Sequence, residues 1–277
     1  GLAAMFTMMN AERITVGIQG LGFADIAYQN AKDYAQERRQ SRVPGVKQTN
    51  KKADLIIEQP EIKRMLLRMR SQIEGGRALA TYVGYHVDVM QKSKDQSSRQ
   101  RADNIVSLLT PVVKCYLSDL GMESSLNAQQ VFGGHGYVHD YGMEQLVRDC
   151  RITTIYEGTN EVQAADLVFR KLMLKNHQLI EDFIEEWETS LFAGNSAGDA
   201  ELDFVLDKTK ESFGRFKKVT AWIMEQVNTN PLSAMGAASA YTRYFSLNII
   251  ALLWTDILVT ILNKKGNFYS SKRKLAK

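Results

Sequence analysis

Asn127–Gln163, NAQQVFGGHGYVHDYGMEQLVRDCRITTIYEGTNEVQ, holds two turn-forming clusters, a basic–acidic segment and one carboxylate in a glycine-flanked turn. Gly133, Gly134 and Gly136 sit poorly inside a helix, so GGHGY is expected to be a tight loop. Such a loop lets backbone approach a ligand closely, because no side chain holds it off. Met143–Ile155 reads as a short helix or helical turn leading into TIYEGTNE. There Glu157 precedes Gly158, and Thr159 is placed to cap the next helix, with Glu161 and Gln163 in its first turn. Taken singly, each cluster is an ordinary interhelical turn, and a lone Glu is usually a solvated one.

The flanking chain reads as helical throughout. Of 277 residues, 44% are hydrophobic and 24% charged, only 4 are proline, and long stretches are rich in Ala, Leu, Met, Gln, Glu and Lys. No alternating run bounded by turns suggests a sheet. Leu2–Arg39 reads as one long helix, with Ile14, Ile18, Leu21, Asp25 and Tyr28 at helical spacing. Gly17, Gly20 and Gly22 inside it imply close helix packing or close approach of a ligand, since each costs up to about 1 kcal/mol relative to Ala. A turn at Pro44-Gly45 and a polar loop follow. A second helix starts near Pro60 and runs to Lys92 on a stripe that includes Met65, Leu66, Met69, Ile73 and Val83. Residues 92–101 read as a polar linker, Ala102–Phe132 as a third helix containing Pro111, and a fourth runs from Thr159 toward Trp187. The expected fold is therefore all-α: an up–down four-helix bundle over 1–191, then a smaller helical extension over 192–277. The small, polar segment 192–201 marks that boundary, and the extension reads as two or three helices, about Leu202–Asn228 and Leu232–Asn263, broken at Asn230-Pro231.

Read in order, QVFGGHGY, LVRD and IYEGTNEVQ resemble the C-terminal helical domain of the flavin-dependent acyl-CoA dehydrogenases. The resemblance extends from about Leu2 to Lys171. The segment Gln59–Leu66 matches a subgroup with a C-terminal extension. Where relatives carry ER-x-x-F-G, this chain has Glu37, Arg38, Arg39, Gln40, Ser41 and Arg42, without the aromatic–glycine pair. The resemblance implies αβ-dehydrogenation of an acyl-CoA thioester to the trans-2-enoyl-CoA, with Glu157 as catalytic base and hydride transfer to FAD. A carboxylate is a weak base in water, and an apolar pocket raises its basicity. Tyr156 and Ile155 would supply part of that wall, and Gly158 would let the backbone turn. Arg13, in the AERI segment, matches an arginine near base and substrate.

The resemblance also places Arg38 on the FAD diphosphate, often across a subunit boundary, with Gln40 beside it. Gln130, Gly133 and Gly134 would meet the pyrophosphate–adenosine half, and Thr159 and Glu161 the flavin or adenine; relatives often have Gln where this chain has Glu161. The implied partners are an acyl-CoA, an electron-transfer flavoprotein as acceptor, and further copies in a homodimer or homotetramer. Because the family also has a middle β domain and an N-terminal helical domain, the chain reads as an excised fragment with part of the FAD site and little activity alone.

The charge of +4 does not argue for nucleic acid, although a flavin-containing homologue with a DNA-binding, alkylation-response role is an alternative, as is a non-catalytic helical interaction module. Cys115 and Cys150 have neither metal-ligand nor disulfide spacing, which suits a reducing, cytoplasmic compartment. His135 and His139 lack a third ligand nearby, so no metal is expected. Asp149 with Arg148 and Arg151 reads as an ion-pair cluster. Phe245–Leu262 is apolar enough to invite a membrane reading, but it contains Asn248 and Asp256 and is expected to be a buried bundle helix.

Overall fold

The computed structural model describes residues 2–45, 51–192 and 200–262. Among these, every regular element is helical and one isolated antiparallel bridge pairs Arg39 with Leu55. The all-α expectation holds. Three long helices, α1 (Leu2–Glu37), α2 (Pro60–Lys92) and α3 (Gln96–Phe132), are followed by the short α4 (Gly134–Tyr137) and α5 (Met143–Arg151). Then come α6 (Asn160–Asp166), α7 (Gln178–Trp187), α8 (Ala200–Thr229) and α9 (Pro231–Leu262). The described residues form two compact units: one within Gly1–Ile14, Gly75–Tyr116 and Glu157–Lys277, the other Thr15–Glu74 with Leu117–Tyr156.

In the Thr15–Glu74 and Leu117–Tyr156 unit, α1 buries Leu21 and Tyr28 of the expected set, but most of its covered face is small residues. Ala24, Ala27, Ala31 and Ala35 are fully covered, whereas Ile18 is 48% exposed. The cause is close approach to α3: a Cβ on Gly20 would lie 2.4 Å from the Leu117 carbonyl oxygen, and one on Gly121 would lie 2.6 Å from the Gly20 oxygen. Gly20 thus serves packing, while Gly22 faces open space. α3 begins six residues earlier than its sequence suggests. Asp95 caps it, accepting from the Ser98 N–H at 2.8 Å and from the Ser97 and Ser98 hydroxyls, so the polar residues 96–101 are its first turns rather than a linker.

The other unit departs from expectation at the fourth bundle helix. Instead of one rod, α6 continues as a π-helical turn, Leu167–Lys171, and then stops. Lys175, Asn176 and His177 all take positive φ (52°, 55° and 72°), which no right-handed helix accommodates. α7 starts afresh after them. α8 and α9 form an antiparallel pair about Asn230-Pro231. Three polar bridges hold its register: Thr209–Thr255 at 2.8 Å, Ser212–Asn248 at 2.9 Å and Thr220–Tyr241 at 2.9 Å. Asn248, which looked awkward in an apolar run, is 4% exposed and accepts from the Ser212 hydroxyl while donating to the Tyr244 carbonyl. Among the described residues, two helices, Gln96–Phe132 and Pro231–Ile261, are long and apolar enough to cross a membrane by length and composition. Their apolar windows are 83% and 56% buried within the protein. α9 also packs on α6 and on the π-helical turn, within one unit. Most of the boundary segment expected at 192–201, residues 193–199, and the basic C-terminal run lie outside the described residues.

Candidate functional site

α5 ends in a 3-10 turn, Ile152–Thr154, that delivers the chain to IYEGTN. Arg148 pairs with Glu144 at 2.8 Å, Asp149 accepts from Gln145 at 2.7 Å, and Arg151 donates to the Thr154 hydroxyl at 2.6 Å. The expected Asp149–arginine cluster is therefore not formed among the described residues: i,i+4 geometry places Glu144, not Asp149, beneath Arg148. The Tyr156 hydroxyl donates to Gln19 Oε1, and Ile155 is 44% exposed.

Glu157 is half-buried and takes φ +56°, a left-handed conformation that side-chain-bearing residues rarely adopt. Gly158 follows at φ +83°. Two consecutive positive φ values reverse the chain sharply, and the second falls on the residue type that tolerates it. The Glu157 carbonyl accepts from Arg13 Nε at 3.4 Å and from Gln163 Nε2 at 3.0 Å. Arg13 is buried, and it also donates to Asn10 Oδ1 at 3.3 Å. Thr159 caps α6 as its position suggested, accepting from the Val162 N–H at 3.4 Å. The turn is anchored to α3 through Asn160, whose Oδ1 accepts from the wholly buried Lys114 at 2.7 Å and whose carbonyl accepts from Cys115 Sγ at 3.3 Å. Arg13, Glu157, Gly158, Thr159 and Gln163 are thus brought together at one turn, while Glu161 lies on the exposed side of α6.

Arg38, Gln40, Gln130, Gly133 and Gly134 come together elsewhere, in the other unit. They line one depression of about 900 Å³ with Tyr34, Arg42, Gln59 and His135. Among the described residues, its walls carry two guanidinium groups, three glutamine amides and no carboxylate. Segment 38–41 is tied to 54–56 by Gln40 N–H to the Asp54 carbonyl (3.0 Å), Asp54 N–H to that of Ser41 (2.9 Å) and Ile56 N–H to that of Arg38 (2.8 Å). Asp54 is fully buried and accepts from the Val43 N–H and from Arg42, each at 2.9 Å. The Val43 N–H and then the Arg42 guanidinium hold its carboxyl below the usual carboxylate range.

GGHGY is only partly the loop its composition suggested. Gly133 breaks α3 with φ +60°, but Gly134–Tyr137 then form one helical turn. Gly136 is required there because a Cβ would meet the Gln129 carbonyl oxygen at 2.3 Å. Gly133 and Gly134 face open space, so backbone is presented bare to the depression. His135 is held by the Tyr34 hydroxyl at 2.8 Å and stacks on Tyr141 at 4.6 Å. These anchoring residues escaped the sequence reading. A lone lysine inside the apolar run LLTPVVKCYL was the visible signal for Lys114; the Tyr34–His135 pair, 101 residues apart, had none.

Residues 1–172 match the family model described as acyl-CoA dehydrogenase, C-terminal domain. The chain is 40% identical over 186 residues to a 3-methylmercaptopropionyl-CoA dehydrogenase of Ruegeria pomeroyi, covering 67% of this chain and 31% of that protein. It is 36% identical over 206 residues to a butyryl-CoA dehydrogenase of Syntrophomonas wolfei, covering 71% of this chain and 33% of the relative. Among solved structures, Caenorhabditis elegans ACDH-11 in complex with C11-CoA shares the fold over 100% of this chain and 43% of that one, with TM-score 0.75 at 19% identity. The chain spans about a third of the length of the curated relatives it matches. It belongs to the acyl-CoA dehydrogenase family, whose C-terminal domain its first 172 residues form.

Proposed function

We propose that the chain is the C-terminal part of an FAD-dependent acyl-CoA dehydrogenase, with Glu157 as the base. The observation that carries this is the turn at Glu157: a half-buried carboxylate on a backbone at φ +56°, its carbonyl held by two buried side chains. Such fixed placement is what proton abstraction from carbon demands, since a base must meet its proton within hydrogen-bond reach. The Cα proton passes to a Glu157 carboxylate oxygen, the Cβ hydrogen leaves as hydride, and the Cα–Cβ double bond of the enoyl-CoA forms. The Glu157 N–H donates to the thioester oxygen as negative charge gathers there. Tyr156 and Gly158 border the substrate.

FAD supplies the hydride acceptor, a role no side chain can fill. The donor set of the 900 Å³ depression fits its diphosphate and adenosine: the Arg38 guanidinium and three glutamine amides beside bare glycine backbone, with the Arg42 charge shared with Asp54. Arg38 and Gln40 meet the diphosphate, and Gln130, Gly133 and Gly134 the adenosine half. Thr159 and Glu161 meet flavin or adenine. Electrons leave to an electron-transfer flavoprotein, and the working enzyme is a homodimer or homotetramer.

The test is Glu157→Gln in the full-length protein, with flavin reduction followed at about 450 nm against a panel of straight-chain and sulfur-containing acyl-CoAs. The wild type bleaches with at least one thioester; the variant binds flavin normally and stays oxidised. Turnover surviving in the variant removes Glu157 from the role of base.

A further inference from the structure

Gln163 is fully buried on α6, six residues past Glu157, where an apolar side chain would pack without polar cost. Its Nε2 donates to the Glu157 carbonyl at 3.0 Å, yet its Oε1 is buried with no hydrogen-bond partner among the described residues. A buried acceptor left unpaired opposes folding, so the amide is not explained by stability. Its geometry is explained by what lies across the bond. A carbonyl fixed by two donors, Arg13 and Gln163, fixes the peptide plane between Glu157 and Gly158. That plane sets ψ of Glu157 and φ of Gly158, and with them the direction of the Glu157 Cα–Cβ bond. The backbone at Glu157 is in a sparsely populated region, which persists only where the surroundings over-determine it. Gln163 also crowds position 158: a Cβ there would lie 2.8 Å from its Nε2, on a backbone at φ +83° that side chains rarely adopt.

We infer that Gln163 is a positioning residue for the reaction: through the Glu157 carbonyl it holds the side chain of the base on the Cα proton. This rests on the proposed role of Glu157 and deepens it. Gln163 touches neither substrate nor cofactor in this account, and it acts through the orientation of one peptide unit.

The test uses the full-length, flavin-loaded protein carrying Gln163→Met, which keeps the volume and loses the donor, or Gln163→Glu, which keeps the shape and turns an acceptor on the carbonyl. The probe is whichever acyl-CoA of the panel reduces the wild-type flavin fastest, in its ordinary and α-dideuterated forms. Misplacement of about 1 Å can lower a rate by about 100-fold. Flavin reduction is therefore expected to slow by about 10- to 100-fold in both variants. Thioester affinity per loaded flavin should change by less than about threefold, because the lost hydrogen bond is not to substrate. The α-deuterium isotope effect should exceed that of the wild type, as proton removal becomes more fully rate-limiting. A purely structural role would lower flavin content or thermal midpoint while leaving the reduction rate and isotope effect per loaded flavin unchanged, and that result overturns the inference. So does failure of both variants to load flavin, which would make Gln163 a folding residue. Glu157→Gln separates the two claims: if it is inert while the Gln163 variants run at wild-type rate, positioning falls and the base stands. If Glu157→Gln reduces flavin normally, the base itself falls.

Discussion

Gly20→Ala and Gly22→Ala are the same substitution in the same helix, two residues apart, and they should have opposite signs. Both gain up to about 1 kcal/mol of helix propensity. At Gly22 nothing lies within 4 Å of the new Cβ, so the gain is kept and the variant is expected to be about 0.5–1 kcal/mol more stable. At Gly20 the new Cβ meets the Leu117 carbonyl oxygen at 2.4 Å and Ser118 Cα at 2.6 Å, against 3.4–4 Å for ordinary contact. Those atoms are the backbone of α3, so no side-chain rotation relieves them, and the seam must open by about 1 Å, a gap that forfeits a quarter to a half of each contact's attraction. Overpacking of this kind costs about 1–3 kcal/mol, and occasionally more. Backbone clash belongs at the upper end, and the propensity gain offsets part of it, leaving a net loss of about 2 kcal/mol. Adding Gly121→Ala should cost less than the sum of the two single changes, because its Cβ meets the Gly20 carbonyl oxygen at 2.6 Å across the same seam. Equilibrium urea unfolding followed by far-UV circular dichroism measures the wild type, the three single variants and the Gly20→Ala/Gly121→Ala double. A Gly20→Ala protein as stable as the wild type would refute the close α1–α3 seam.

Lys171 is 2% exposed and donates to Ser107 Oγ at 2.9 Å; burial, and then the charge of Arg170, pushes its pKa down to about 8. A base whose folded pKa lies below its unfolded one weakens the fold while charged, so wild-type stability should rise with pH from about 8 to about 10.5. Lys171→Met removes that burden: it should be more stable by about 3 kcal/mol at pH 7, less the lost Ser107 hydrogen bond, with the gap in thermal midpoint narrowing as pH climbs through that window. A gap that stays constant with pH would refute the depressed pKa. At the other unit, the depressed Asp54 carboxyl stabilises its loop above its unfolded pKa of 3.8, and that support is lost as pH falls through the lower folded value. Hydrogen exchange at the Gln40, Val43 and Ile56 amides should be faster in Asp54→Asn than in the wild type at pH 7, the difference closing in acid. Equal exchange at pH 7 would show that Asp54 does not clamp the segment.

The linear sequence determined what depends on neighbours within a turn or two. Helical periodicity, the scarcity of proline and the Asn230-Pro231 break sufficed for an all-α chain, and Thr159 announced the start of α6 because a cap reaches only three residues ahead. Asp95 shows the limit of that logic: composition made 96–101 a linker, while one carboxylate accepting from Ser97 and Ser98 turned the segment into helix. What only the tertiary structure decided are relations between residues far apart in the chain. Gly20 serves packing because α3 runs 2.4 Å from where its Cβ would be, and Ile18 turns outward for the same reason. The Glu157 carbonyl is pinned by Arg13, 144 residues away, and its left-handed backbone follows from that support rather than from any preference of glutamate. A motif can name the residues of such a turn. Their orientation comes from donors that the folded chain brings in from elsewhere.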